Sequence, residues 1–97
     1  MITEREFLNR ARLDRTTLKV WIEEEWLIPG GSADAPAFTD MDLARAELIH
    51  DLKGKMGVND EGLDVILHLI DQMHGLRRAL AEALAQLRER EKATGGP

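Results

Sequence analysis

The chain has 97 residues, of which 43% are hydrophobic and 32% charged, a composition typical of one soluble domain with a modest core. Its small size argues against the large active-site cavity of an elaborate enzyme. The absence of cysteine excludes disulfides and thiolate zinc sites, and it favours a reducing, cytoplasmic setting. The net charge of −5 disfavours nucleic acid as a partner. No apolar run approaches the roughly 18 residues that cross a bilayer, so we expect neither a signal peptide nor a membrane anchor.

The first third of the chain predicts two short helices separated by a turn. Thr3, with Glu6 three residues later, has the capping-box pattern of a helix start, and this helix is expected to end at about Ala11. Asp14 can then cap a second helix. The second helix has apolar residues at i, i+3 and i+4 spacing, and a Pro-Gly-Gly sequence ends it.

Two further helices follow a segment of small residues. The sequence GGSADAPA has no periodicity and predicts a loop or a short hairpin. Thr39 can cap a third helix, which we expect to end near Gly57. Asn59 can cap a fourth helix, which contains no proline and forms a rod of about 45 Å.

The fourth helix has residues at strict 4-3 spacing, the pattern of a two-stranded coiled coil. The rod is longer than a domain of this size can cover, so we expect a homodimer in which the helices pair either parallel or antiparallel. One member of the predicted seam is charged, and the seam consists of Ile66, Ile70, Met73, Arg77, Leu80, Leu84 and Leu87.

The sequence contains no nucleophile motif, phosphate-binding loop or paired zinc-ligand motif, so we expect no catalytic residue, metal site or cofactor. Its most unusual feature is the run of Glu23, Glu24 and Glu25 at the end of the second helix. Such a run is often only a solvated face, and the alternative is a partner-binding role.

The order of these elements resembles the winged helix-turn-helix of the MerR superfamily. The resemblance rests on TLKVWIEEEWLIP, on FTDMDLARAELIHDLKGKMGVNDEGLDVILHLI and on the heptad helix, and it covers nearly the whole chain. It implies an all-α, MerR-like winged helix-turn-helix with a minimal wing and a long C-terminal dimerisation helix. The corresponding boundaries are 1–58 for the helix-turn-helix domain with its third helix, 59–92 for the dimerisation helix and 93–97 for a disordered tail.

The charged residues differ from those of the DNA-binding members of the superfamily. In those members the position of Lys19 is usually arginine, that of Val20 aromatic and that of Ile22 glutamate. Here the three glutamates follow on the same helix, and the wing segment PGGSADAPAF contains no lysine or arginine. These differences disfavour a phosphate backbone as the ligand.

The chain is more similar to a branch of the superfamily, the CbpM-like chaperone modulators of bacteria, at the helix ending EWLIP, at Ile22 and at Phe38. This resemblance implies binding to the J-domain of a DnaJ-type co-chaperone and inhibition of its stimulation of Hsp70. The J-domain presents a basic helix to Hsp70, so an acidic competitor is physically reasonable. With Trp26 as an apolar anchor, the predicted contacts are Glu23, Glu24, Glu25, Trp26, Asp40 and Asp42.

The alternative is a MerR-like DNA-binding transcriptional regulator. In that case Arg12, Arg15 and Lys19 would contact phosphates, with Lys53 as a further candidate. This alternative predicts a steep loss of affinity with salt, because each neutralised phosphate releases counterions.

Overall fold

The computed structural model of the protein describes residues 1–94. In chain order, its elements are β1 (Ile2–Thr3), α1 (Glu4–Ala11), α2 (Arg15–Glu23), β2 (Gly30–Gly31), β3 (Pro36–Phe38), α3 (Asp40–His50), a π-helical turn (Asp51–Lys55) and α4 (Asp60–Thr94). The chain divides into two compact units, Met1–Asp64 and the remainder from Val65. The sequence analysis predicts a disordered tail at residues 93–97. Residues 93 and 94 belong to the helix α4, and the rest of the predicted tail lies outside the described residues.

The helices begin at the capping residues that the sequence indicates. The Thr39 hydroxyl accepts a hydrogen bond from the backbone N–H of Asp42 at 3.2 Å, and the Asp42 carboxylate accepts one from the backbone N–H of Thr39 at 2.9 Å. The side-chain oxygen of Asn59 accepts from the N–H of Gly62 at 2.7 Å. These bonds satisfy amides that have no partner inside the first turn of a helix. The predicted starts of α3 and α4 are therefore confirmed.

Asp14 caps α2, and its carboxylate accepts a hydrogen bond from the backbone N–H of Thr17 at 2.6 Å. This bond and one to the Thr17 side chain hold the pKa of Asp14 below its ordinary value. A carboxylate whose pKa is lower in the folded chain than in the unfolded chain stabilises the fold above its ordinary pKa. That contribution is lost as the pH falls through the folded-state pKa.

We therefore expect urea unfolding to show that the wild type loses stability below about pH 4, in part through Asp14. The variant Asp14→Asn keeps a capping oxygen but cannot be protonated there, so its stability should fall less over the same pH interval. Identical pH dependence of the two proteins would contradict this role.

The segment between α2 and α3 is a β-hairpin and belongs to a three-stranded sheet in the order β1–β3–β2. Both pairings are antiparallel, with Gly30 opposite Ala37 and Ile2 opposite Phe38. The sequence predicts a loop or hairpin here but not β1, because a strand of two residues is too short to show a periodicity. The sheet forms the small wing expected beside the helices.

The core of residues 1–64 contains two pairs of aromatic side chains. Phe7 of α1 and Phe38 of β3 are fully buried, and their rings stack with centroids 4.1 Å apart. Trp21 and Trp26 are also buried, with ring centroids 6.4 Å apart. The first pair joins α1 to the sheet, and the second pair packs the end of α2 against the chain that follows it.

The helix α2 ends in a Schellman motif. The N–H of Trp26 donates to the carbonyl of Trp21 at 2.9 Å, and the N–H of Glu25 donates to the carbonyl of Ile22 at 3.0 Å. Glu25 has a φ of 62°, in the left-handed region that glycine usually occupies in this motif. A glutamate therefore holds a backbone conformation that is strained for a residue with a Cβ atom.

We expect Glu25→Gly to raise the free energy of unfolding by about 0.5–1 kcal/mol, because glycine relieves the left-handed strain but also makes the unfolded chain more flexible. Urea denaturation measures this change. A suitable control is Glu24→Gly, because Glu24 has a φ of −78° and glycine should destabilise the protein there. A loss of stability in Glu25→Gly would contradict the prediction.

The third helix differs from the prediction at its end. The α-helical hydrogen bonding stops at His50, and the backbone continues as the π-helical turn before Gly57, which has a φ of 66°. The N–H of Met56 donates to the carbonyl of Asp51 at 3.1 Å, five residues back, as a π-helix requires. The sequence signal for this turn is weak, since it consists only of Gly54, a poor helix former.

Candidate partner-binding surfaces

A groove with a volume of about 770 Å³ lies between α2 and the β2–β3 hairpin. Ile28 is its most exposed large apolar side chain, with 74% of its surface accessible. The apolar residues of the lining from α2, from the segment after it and from the hairpin are Leu18, Ile22, Leu27, Ile28, Pro29, Ala33 and Pro36. We call this surface the α2–hairpin groove.

Charged side chains also line the α2–hairpin groove. Its carboxylates are Glu4, Glu23 and Glu25, and its basic residues are Arg15 and Lys19. The Arg15 guanidinium lies 3.8 Å from the carboxylate of Glu4, so these two charges largely offset each other. The remaining charged residues of the lining are two carboxylates and one ammonium group, and the groove is therefore acidic.

The structure does not bring all the predicted contact residues together. Glu23 and Glu25 line the α2–hairpin groove, whereas Glu24 lies outside its lining. Asp40 lines a separate depression between α1 and α3. Asp42 is engaged in the cap of α3. Only two of the predicted acidic contacts therefore share one surface.

Trp26 is a core residue, whereas the sequence analysis predicts it as an apolar anchor of the partner contact. Only 2% of its surface is accessible, its indole N–H donates to the Asp64 carboxylate, and its carbonyl accepts from the Arg45 guanidinium. The ammonium of Lys53 lies 5.2 Å from the centre of its ring. The contacts fix Trp26 inside the unit, and Ile28 is the apolar residue that remains accessible nearby.

Only two basic residues of the DNA-binding alternative, Arg12 and Arg15, lie near the turn between α1 and α2. Arg12 and Arg15 line one depression, and they share it with Arg5 of α1. Lys19 lies farther along α2, in the lining of the α2–hairpin groove. Lys53 is elsewhere, 2.8 Å from an aspartate at the start of α4. The sequence analysis misses Arg5 because nothing in its spacing shows that it adjoins the turn.

From Val65 onward, α4 carries a row of exposed large apolar side chains. These are Val65, Leu69, Met73, Leu76, Leu80, Leu84 and Leu87. Four of them belong to the predicted seam. Of the other predicted members, Arg77 is exposed, and Ile66 and Ile70 are half-buried.

The exposed row contains Leu69 and Leu76, which the sequence analysis does not place in the seam. They belong to a second heptad register with the same 4-3 spacing and no charged member. That register consists of Ile66, Leu69, Met73, Leu76, Leu80, Ala83 and Leu87. Because the two registers share four positions, the repeat alone does not separate them, but an uncharged seam is the better match to a coiled coil.

Residues 1–94 contain no group of three or more histidine, aspartate or glutamate side chains placed to hold a metal ion. Within this described part of the chain, no helix combines the length and the hydropathy that crossing a membrane requires.

Two short helices joined by a tight turn, a small β-hairpin and a long C-terminal helix define the winged helix-turn-helix class of regulatory proteins. A family model described as MerR HTH family regulatory protein matches residues 2–88, and the chain belongs to this family. The predicted superfamily and fold are thereby confirmed. Neither the comparison with curated proteins nor the comparison with solved structures gave a match.

Proposed function

We propose that this MerR-family protein is a cytoplasmic chaperone modulator, which binds the J-domain of a DnaJ-type co-chaperone and inhibits its stimulation of Hsp70. The observation that carries the proposal is the acidic and apolar character of the α2–hairpin groove. This groove presents Glu23, Glu25 and the exposed Ile28. A basic helix of the kind that a J-domain presents to Hsp70 complements such a surface.

The charged and apolar parts of the groove have different roles in this proposal. The carboxylates attract a basic partner over distances of about a Debye length and so mainly raise the rate of association. The apolar side chains lose their contact with water in the complex and so supply most of the affinity. Neither role requires catalysis by the protein.

Calorimetric titration with the isolated cognate J-domain tests the proposal. Binding in the range up to about 100 μM supports it, and no binding at that concentration overturns it. A second measurement is the Hsp70 ATPase rate, which the protein should lower when the co-chaperone is present. The rate of Hsp70 alone is the control, because inhibition without the co-chaperone would indicate another mechanism.

DNA binding is the second candidate function, and one observation favours it. Arg5, Arg12 and Arg15 converge on a single depression beside the α1–α2 turn. Arginine residues that line one depression are suited to contact phosphates, although Arg15 is also 3.8 Å from the carboxylate of Glu4. Gel shifts with the neighbouring promoter DNA test this candidate, which predicts binding at low salt that weakens steeply as salt is added. No shift at low salt would exclude it.

We further propose that the protein is a homodimer through α4. The exposed apolar row supports this, because a lone helix gains nothing from such a row in water. The charges favour antiparallel pairing: residues 60–71 contain four acidic and no lysine or arginine residues, whereas residues 77–92 contain five basic and three acidic ones. A parallel pair would place the acidic parts of the two helices side by side, whereas an antiparallel pair separates them.

A further inference from the structure

We propose that the α2–hairpin groove binds one basic amphipathic helix of the partner, with its apolar face on Ile28 and its basic side chains at Glu23 and Glu25. The inference rests on the proposed function for the identity of the partner. It goes further in assigning the contact to one surface and in excluding Glu24, Asp40 and Asp42 from it.

The apolar part of the groove is suited to the side chains of one helix face. Ile28 is largely exposed, while Leu18 and Leu27, which also line the groove, are fully buried. A volume of about 770 Å³ is within the range that holds a drug-sized ligand, and so can take a few large side chains. Helices that bind in grooves use such a set of anchors at i, i+3 or i+4 and i+7.

The end of α2 explains how two carboxylates reach the same groove. On a continuous helix, residues 23 and 25 would point about 200° apart. Here α2 ends at Glu23, and Glu25 has the left-handed conformation; both residues line the groove and Glu24 does not. The strained backbone at Glu25 therefore has a consequence for the charge of the site.

The same features argue against other occupants. A nucleic acid would bring phosphates toward Glu23 and Glu25, which is unfavourable. A strand added to the edge of the sheet would pair with β2, which offers only Gly30–Gly31 and is too short for a ladder of hydrogen bonds. A helix with basic residues beside its apolar face satisfies both the charge and the shape of the groove.

The test measures binding of two probes to variants with matched controls. The probes are the cognate J-domain and a synthetic leucine–lysine amphipathic peptide of about five helical turns, with a leucine–glutamate peptide of the same pattern for comparison. Ile28→Asp removes the apolar contact, and Met41→Asp is its control, because Met41 is 71% exposed on α3 and outside the groove. Glu23→Lys reverses one rim charge, and Glu24→Lys is its control.

We expect Ile28→Asp and Glu23→Lys each to weaken binding of the J-domain and of the leucine–lysine peptide by about tenfold. The two control variants should change it by less than about twofold. Added salt should shrink the effect of Glu23→Lys, which acts by repelling a basic partner, and should not restore the binding that Ile28→Asp loses through removal of the apolar contact. The leucine–glutamate peptide should bind weakly or not at all.

The outcomes separate this inference from the proposed function. If the J-domain binds but Ile28→Asp and Glu23→Lys behave like their controls, the groove assignment is wrong and the proposed function stands. If the leucine–lysine peptide binds in the groove and the J-domain does not bind, the proposed function is wrong and the groove assignment stands. If neither probe binds, both are wrong. A change of oligomeric state in Ile28→Asp would assign the groove to a second copy and overturn the inference.

Discussion

In light scattering, a variant with Leu80→Asp and Leu84→Asp is expected to have half the mass of the wild type, which should itself be twice 10.9 kDa. Both leucines are exposed on the single chain. Leu80 belongs to both heptad registers and would be covered in the dimer in either case, whereas Leu84 belongs only to the register that contains Arg77. Burying one such side chain contributes about 1.5–3 kcal/mol, and a buried carboxylate adds a desolvation cost. Since a dimer contains Leu80 twice, the dissociation constant should rise by more than about 100-fold even if Leu84 lies outside the seam.

The matched control for this variant also introduces two aspartates, but outside both heptad registers. Arg78→Asp with Ala85→Asp changes exposed positions of the same stretch of α4, and its mass should remain that of the dimer. Loss of the dimer in the control would mean that charge, and not the seam, causes dissociation. A monomeric wild type would overturn the dimer proposal itself.

Two extensions of the same experiment separate the arrangements of the helices. Leu76→Asp should dissociate the dimer and Arg77→Asp should not, if the uncharged register forms the seam. Because the chain has no cysteine, a disulfide cross-link can form only between cysteines that are introduced by mutation. A mixture of Ile66→Cys and Leu87→Cys should cross-link between the two variants in an antiparallel pair, whereas each variant should cross-link to itself in a parallel pair.

Phe38→Ala is expected to lower the free energy of unfolding by about 3–5 kcal/mol, the usual cost of truncating a buried phenylalanine. Phe38 is fully buried on the central strand β3, where it stacks on Phe7 and lies opposite Ile2 in the sheet. A loss of this size is a large part of the stability of a small domain. Urea denaturation measures it.

The control is Phe38→Leu, which keeps much of the apolar volume and should cost less than about 1.5 kcal/mol. If the alanine variant costs less than about 1.5 kcal/mol, Phe38 is not a main support of the wing. Because β3 also forms one strand of the hairpin beside the groove, a loss of partner binding in Phe38→Ala would reflect damage to the fold and not a lost contact.

The parts of the structure that follow from local chemistry could be predicted from the sequence. Asp14, Thr39 and Asn59 each accept a hydrogen bond from an amide three residues on, so their sequence positions alone indicate where helices begin. The heptad repeat of α4 is likewise visible without a structure, although two registers satisfy it, and the exposure of Leu69 and Leu76 draws attention to the uncharged one.

The parts that depend on tertiary contacts could not be predicted in this way. Nothing adjacent to Trp26 in the sequence shows that its indole reaches Asp64, 38 residues later, and its burial therefore overturns its role as an anchor. The convergence of Glu23 and Glu25 depends on a left-handed residue where a helical continuation is the ordinary expectation. The sequence therefore indicates that the candidate site is acidic and apolar, but only the structure shows which residues form it.

The placement of the aromatic residues has a practical consequence for spectroscopy. Trp21 and Trp26 are the two tryptophans of the chain, which has no tyrosine, and both are buried within residues 1–64. Intrinsic fluorescence of the unlabelled protein therefore follows the melting of that unit, whereas far-ultraviolet circular dichroism also follows the 35-residue helix α4. If the two signals change at different denaturant concentrations, the long helix melts separately, and the protein is not a two-state folder.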